Sequence, residues 1–592
     1  MNTKYKIEPE EIPHKRLVMG IIIIVIGMMI GIHAAQAQER IVKVADFGAI
    51  PNDGKCDIAA IKRALDYAKT VKAKELIFEI GTYDLFVGDT GKNMAIDVQS
   101  LDGFTMKGAV DAQGQPATTL LRHYEFRNSL SARPILHVNK STDFRLQNFI
   151  FDNNPRYSTA GEVVANDGQS ITVKIFEGNP VIDGVIFYTG NAWDMSTKTL
   201  KKQPSLTYGS DVDRKKEEMT WRVVGDAADR TMKLNSANVA SKVVVGDGIS
   251  WSFSWDGRQV VFDACKDLSV ENVWTYNAIG FAMEARACEN ITAHKVKVIA
   301  PENQLLVSPR DGWKLFANRG NVLMDEIYME GVRWDGQNVH GSFMWPHEII
   351  NKKSIWLKKK RGVTYPIQAG SKIGFWSGDE ETVVTVEKAE HKMTEKKERG
   401  FVLTFKEDIP DFVNDETLCQ VYAWNIDNYV LRNSEFRNIA GTASLIRNTN
   451  VTIENNKFDH IMYTAVVIGA AIRQGEGLVP KDVRIENNTI SHSGWIPRFK
   501  TRGAIGVRNQ RPTEAPDTLE PLRKDGEERI PSPLIQRVYI AGNTVTDCEY
   551  GIVADETKGL TIEKNKFINV KNALDVHPDY NDETRIVDNN IQ

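Results

Sequence analysis

Three short stretches of the chain combine carboxylates with arginine, tryptophan and amide side chains. They read Phe281-Ala-Met-Glu284-Ala-Arg286, Ser308-Pro-Arg310-Asp311-Gly312-Trp313 and Arg333-Trp334-Asp335-Gly336-Gln-Asn338-Val-His340-Gly341. Aromatic faces cover the apolar CH surface of a sugar ring, while carboxylate, amide and imidazole groups fix its hydroxyls. Two carboxylates in such a setting can serve as acid and base for glycoside hydrolysis. Asp311, Asp335 and Glu284 are the candidate catalytic residues, and Arg310, Trp313, Trp334, Asn338 and His340 the candidate sugar contacts. Each also has a plainer reading. Asp311 and Asp335 both precede glycine and would simply form turns. Glu284 would pair with Arg286 or Arg310, His340 would be a satisfied structural histidine, and both tryptophans would be core.

The element that must position these residues is a repeated phrase of strand residues closed by asparagine. It runs Val451 to Phe458, Val483 to Ile490, Val538 to Val545, Leu560 to Phe567 and Arg585 to Ile591, with Asn456, Asn488, Asn543, Asn565 and Asn590 as its last asparagines. The shorter spacings, 22 and 25 residues, define one unit, and the longer ones, 32 and 55, are that unit plus an excursion. A unit this small cannot bury its own apolar side and must stack on its neighbours. Val, Ile and Thr alternate with polar residues, so the unit is built of strands. Asparagine suits the corners because it accepts left-handed backbone, and stacked copies can ladder along the axis. The expected fold is all-β, a right-handed parallel β-helix.

An open solenoid end would expose its core, so a cap is required. Ile58, Ile61, Ala64, Leu65 and Ala68 share one helical face, with Asp57 as a candidate N-cap, and supply that cap. The phrase disappears twice, and hairpin-like sequences such as Glu162–Lys174, with Asn166-Asp167-Gly168 as its turn, replace it. The expected organisation is a leader over 1–37, cap and first coils over 38–153 and a β insertion over 154–257. Coils carrying the candidate site follow over 258–348, then a second β insertion over 349–423 and final coils over 424–592. The charged, Pro-rich stretch Pro512 to Pro533 reads as a surface loop.

The chain has 592 residues and a net charge of −4, with its lysine runs short and dispersed, which gives no reason to expect nucleic acid. Its leader sets His14-Lys15-Arg16 before an apolar run, Leu17 to Ile32, and Ala35-Gln36-Ala37. That is the pattern of a secretory signal cleaved after Ala37. The run is 16 residues, short of the roughly 20 that span a bilayer, so no membrane partner is expected once it is removed. Export to the periplasm or the medium is the expectation. The five cysteines form neither a disulfide framework nor a zinc motif, and no dense Asp cluster suggests calcium, so no metal or cofactor is expected. Cys265 and Cys288, one coil apart, should stack as buried thiols.

The opening Asp46-Phe-Gly48-Ala49, Asp53-Gly54 and Asp57, the Gly81-Thr-Tyr83 turn and the coil phrases resemble the pectin-lyase-like superfamily. The corner ending Asn338-Val-His340-Gly341, with Asp311 one coil earlier and β insertions on both sides, is similar to glycoside hydrolase family 110. That resemblance spans nearly all of the chain after the leader. It implies an exo-acting, metal-independent, inverting α-galactosidase that removes terminal α-1,3-linked galactose from an oligosaccharide or polysaccharide. It also implies an adjacent acidic pair before the Asn-Val-His corner, where this chain has Trp334-Asp335. Two alternatives stay open: a polysaccharide lyase using Arg286, Arg310 or Arg333 on a uronate, and a non-catalytic glycan-binding β-helix.

Overall fold

The computed structural model describes residues 40–87, 95–126, 133–207, 216–253, 255, 257–359, 367–497, 501–510 and 533–592. The leader, Lys360 of the lysine run, and nearly all of the Pro-rich stretch lie outside them. Short strands stack in parallel into three long sheets of 14, 12 and 11 strands, the three walls of a β-helix. Each coil contributes one strand to each wall. Along the 11-stranded wall, Met283, Trp313, Gln337, Ser444 and Val466 stand in register, as do Glu284, Lys314, Asn338, Leu445 and Val467. Strand side chains alternate between faces. The first column therefore points into the core and the second out of it.

The asparagine corner does two jobs with two residues. Asn455, Asn487, Lys564 and Asp588 adopt left-handed backbone, with glycine at 542 in the same place. The next residue carries the ladder. Asn456 donates its backbone and side-chain N–H to Oδ1 of Asn488 at 2.9 and 3.0 Å, and Asn488 does the same to Asn543. Asn543 continues to Asn565 and Asn565 to Asn589, so the last rung is Asn589 and not Asn590. Asn488 is 1 % exposed and makes these bonds in both directions. Asn488→Ala strands the buried Asn456 amide, and we expect a loss of about 2–4 kcal/mol, read as an earlier urea unfolding midpoint.

The helix Ile58–Val71 closes the N-terminal end with Ala60, Ile61, Ala64, Leu65 and Ala68 buried. Asp57 does not cap it through its side chain. Its carboxylate instead accepts the amides of Ile50 and Asp84, tying the preceding loop to the first coils. Where the coil phrase stops, an antiparallel seven-stranded sheet spans Ser158 to Ser252 and a closed six-stranded barrel spans Phe343 to Val421. The sheet packs Trp193 and Leu200 on Leu305, Ala440, Met462 and Tyr463 of the coils, and the barrel packs on Phe316 and Ala317. Both cover the segment between them. Cys265 and Cys288 are buried free thiols on adjacent rungs. No described helix is long and apolar enough to cross a membrane.

Candidate active site

Asp311 and Asp335 sit immediately before successive strands of the 11-stranded wall, Trp313–Phe316 and Gln337–His340. The Gly312 amide donates to the Asp335 carbonyl at 2.9 Å and the Trp313 amide to the Gly336 carbonyl at 2.8 Å, which fixes the two aspartates on adjacent rungs. Strands in a ladder lie about 4.8 Å apart. The glycines that follow are demanded by this stacking: a Cβ on Gly312 would lie 2.8 Å from the Gly336 carbonyl, and one on Gly336 2.5 Å from that of Ala443. Both aspartates are 1 % exposed. Burial first, and then the like charge of Asp335, push the Asp311 carboxyl up to about 7, against the pull of Arg310 and Lys314. The Thr442 amide donates to Oδ1 of Asp335 at 3.2 Å. At neutral pH the pair is thus built to hold a proton on Asp311.

Outside this pair, the wall presents Lys314, Asn338, Phe316, His340 and Arg447 in two registered columns. Asn338 Oδ1 accepts from Arg447 at 2.9 Å. His340 Nδ1 donates to the Gly341 carbonyl at 2.8 Å, and burial lowers its pKa to about 3, so the imidazole is neutral and is no acid. Glu476, on the excursion after Ala471, lies 3.1 Å from Arg447 and 3.9 Å from Nε2 of His340, and its charge also raises Asp311. The first insertion delivers Trp255, which meets Trp334 edge to face at 5.8 Å. Arg310 stacks on Phe281 at 4.1 Å and on Trp255 at 5.2 Å. From the barrel comes Lys359, over Phe316 and Trp424 at 4.8 and 5.1 Å.

The structure thus brings Asp311, Asp335, Arg310, Trp334, Asn338 and His340 to one face. Two candidates part from it. Trp313 is fully buried among the core residues, because it shares the inward column with Met283 and Gln337, and it is no sugar platform. The Glu284 carboxylate is engaged by Arg258 at 2.5 Å, with Arg286 at 3.9 Å, so it is an ion-pair member rather than an acid. Two of the three arginines considered as lyase bases are also structural. Arg333 donates to Thr189 Oγ1 and the Ala440 carbonyl, and Arg286 is paired with Asp263.

Sequence reasoning missed Trp255, Lys314, Lys359, Arg447 and Glu476. Lys314 carried a signal, since alternation after an inward Trp313 turns it outward. The others arrive from insertions or distant coils, and nothing in their local sequence marks them. On another wall, Asp459, His460 and His492 place one ligand atom each within 4.8 Å of one another. Burial raises the Asp459 carboxyl, but hydrogen bonds from His460 and His492 outweigh it and hold the group well below the usual carboxylate range. With the two rings stacked at 4.5 Å, this is a hydrogen-bonded ladder.

No family model matches the chain. It is 22 % identical over 581 residues to alpha-1,3-galactosidase A of Bacteroides fragilis (strain YCH46), covering 90 % of this chain and 88 % of the relative. Against alpha-1,3-galactosidase A of Shewanella woodyi the figure is 20 % over 513 residues, covering 81 % and 80 %. Among solved structures, the mannuronan C-5 epimerase AlgE4 A-module of Azotobacter vinelandii aligns with a TM-score of 0.42 and 10 % identity, over 92 % of this chain and 99 % of that one. With the coil architecture, the likeness to the two galactosidases makes the chain a parallel β-helical glycoside hydrolase similar to the α-1,3-galactosidases.

Proposed function

We propose that the protein is an exported exo-glycosidase that hydrolyses terminal α-linked galactose, α-1,3 preferred, with inversion. The observation that carries hydrolysis is the registered pair Asp311 and Asp335, two buried carboxylates on adjacent rungs of which one retains its proton near neutral pH. Inversion is what the resemblance to glycoside hydrolase family 110 implies, since rungs about 4.8 Å apart are closer than the roughly 6.5–9.5 Å usual between the carboxyls of an inverting pair. Asp311 donates that proton to the glycosidic oxygen as the bond to the anomeric carbon breaks. Asp335 takes a proton from the water that attacks the opposite face, and the two roles reset by proton exchange with solvent.

The linkage preference rests on the relatives' names, and the exo mode on burial: Asp311, Asp335, Asn338 and His340 are all under 8 % exposed, so a chain end reaches them more readily than an internal residue. Neutral His340 and the Arg447–Asn338 pair offer an acceptor and donors to hydroxyls. Trp334 and Trp255 supply the aromatic surface for the ring. Export rests on the basic, apolar and Ala-x-Ala order of the leader. Incubating the full chain with Galα1-3Gal should release free galactose, and a polymer lacking terminal α-galactose should yield none. A folded protein that releases nothing from Galα1-3Gal refutes the reading.

A further inference from the structure

We infer that the site binds a sugar carrying an anionic oxygen substituent, a sulfate ester or a carboxylate, between Lys314 and Lys359. This deepens the glycosidase reading and rests on it. Lys314 projects outward between Glu284 and Asn338 in the registered column. Neither neighbour serves it, because Glu284 is bound by Arg258 at 2.5 Å and the Asn338 carbonyl oxygen by Arg447 at 2.9 Å. Among the described residues the Lys314 ammonium has ring contacts with Phe281 at 5.5 Å and Phe316 at 5.8 Å, and no hydrogen bond or ion pair.

Lys359 reaches the other way, from the barrel, and its ammonium lies 4.8 Å from the centre of the same Phe316 ring. It is 5 % exposed. Two ammonium groups drawn to one ring in a water-poor setting repel each other. Burial, and then Lys314, lower the Lys359 pKa to about 7. The Glu476 charge partly offsets this and raises Lys359, but Glu476 is itself drawn to Arg447 at 3.1 Å. Arg310, stacked on Phe281, adds a further positive charge on this face. An oxyanion placed between the lysines would relieve the repulsion, recharge Lys359 and gain two charge-assisted hydrogen bonds. A neutral hydroxyl could accept from one ammonium but carries no charge to offset the repulsion.

The test measures binding by calorimetry at low ionic strength on the full chain. The probes are methyl α-D-galactopyranoside, its 2-, 4- and 6-sulfates, the corresponding methyl α-galacturonoside, and inorganic sulfate. At least one charged glycoside should bind about tenfold or more tightly than the neutral one. That advantage should fall to about twofold or less in Lys314→Met and in Lys359→Met. The sulfate and uronate arms show which anion the site takes. Lys314 is half-buried, so Lys314→Met keeps the test sound if Lys359→Met fails to fold. Equal affinity for neutral and charged glycosides, an advantage that survives in the variants, or binding of inorganic sulfate alone overturns the inference. Release of galactose from Galα1-3Gal without any anion preference removes this inference and leaves the glycosidase. Anion preference without turnover of any glycoside removes the glycosidase and leaves a binding site.

Discussion

Asp335→Asn lowers kcat on a terminal α-galactoside by about 10³-fold or more while the protein stays folded. The substitution keeps the shape of the side chain, and its carbonyl oxygen can still accept the Thr442 amide that now reaches Oδ1 at 3.2 Å. What it removes is the ability to take a proton from water, and general acid–base assistance is worth about 10²–10⁴ in rate. Loss of the negative charge that helps hold the proton on Asp311 adds to the deficit. Glu284→Gln is the control. Its carboxylate belongs to Arg258, so activity should fall by less than about tenfold and what is lost should track thermal stability. Steady-state kinetics on both variants, each checked by circular dichroism, separates the catalytic pair from the ion pair beside it. If Glu284→Gln is the dead variant and Asp335→Asn the active one, the assignment is wrong.

Asp311→Asn should abolish turnover and yet stabilise the protein above neutral pH. The folded-state pKa of Asp311 is raised to about 7 from 3.8, so the folded protein holds this proton more tightly than the unfolded chain does. The stability it contributes is fully present below about 3.8 and is lost as pH rises through about 7. Asparagine is neutral throughout and never incurs that loss. The variant should match the parent near pH 4 and exceed it above pH 7, by at most about 4 kcal/mol for a shift of this size. Thermal melts across that range check it, and a constant difference at all pH values contradicts it. The same titration sets the alkaline limb of activity: kcat/KM should fall as pH rises through about 7, because Asp311 loses the proton it donates.

The solenoid was legible because its physics is local and repeated. The C-terminal coils carry the same inward Val and Ile positions and the same asparagine corner, so five imperfect copies suffice to read the stack. The two jobs of that corner were not separable from sequence, and the last rung was misplaced by one residue, from Asn589 to Asn590. Asp311 and Asp335 were legible for a related reason: they lie one coil apart, each before a glycine, which puts both at the same level of one wall. Trp313 was misread because tryptophan beside an acid suggests a sugar platform. The strand parity of Trp313, Lys314, Leu315 and Phe316 places tryptophan and leucine on the core side and brings Lys314 out. Glu476, Lys359 and Trp255 were beyond reach, since they come to the site from an excursion and from the two insertions. A contact made across an insertion or an excursion leaves no trace in local spacing.

The most direct test of the account follows the anomeric protons by NMR while the full chain acts on Galα1-3Gal. The account predicts that β-galactose appears first and mutarotates afterwards, and that neither Asp311→Asn nor Asp335→Asn forms it. α-Galactose as the first product would contradict it, because retention requires a covalent glycosyl intermediate that an acid–base pair acting through water does not form.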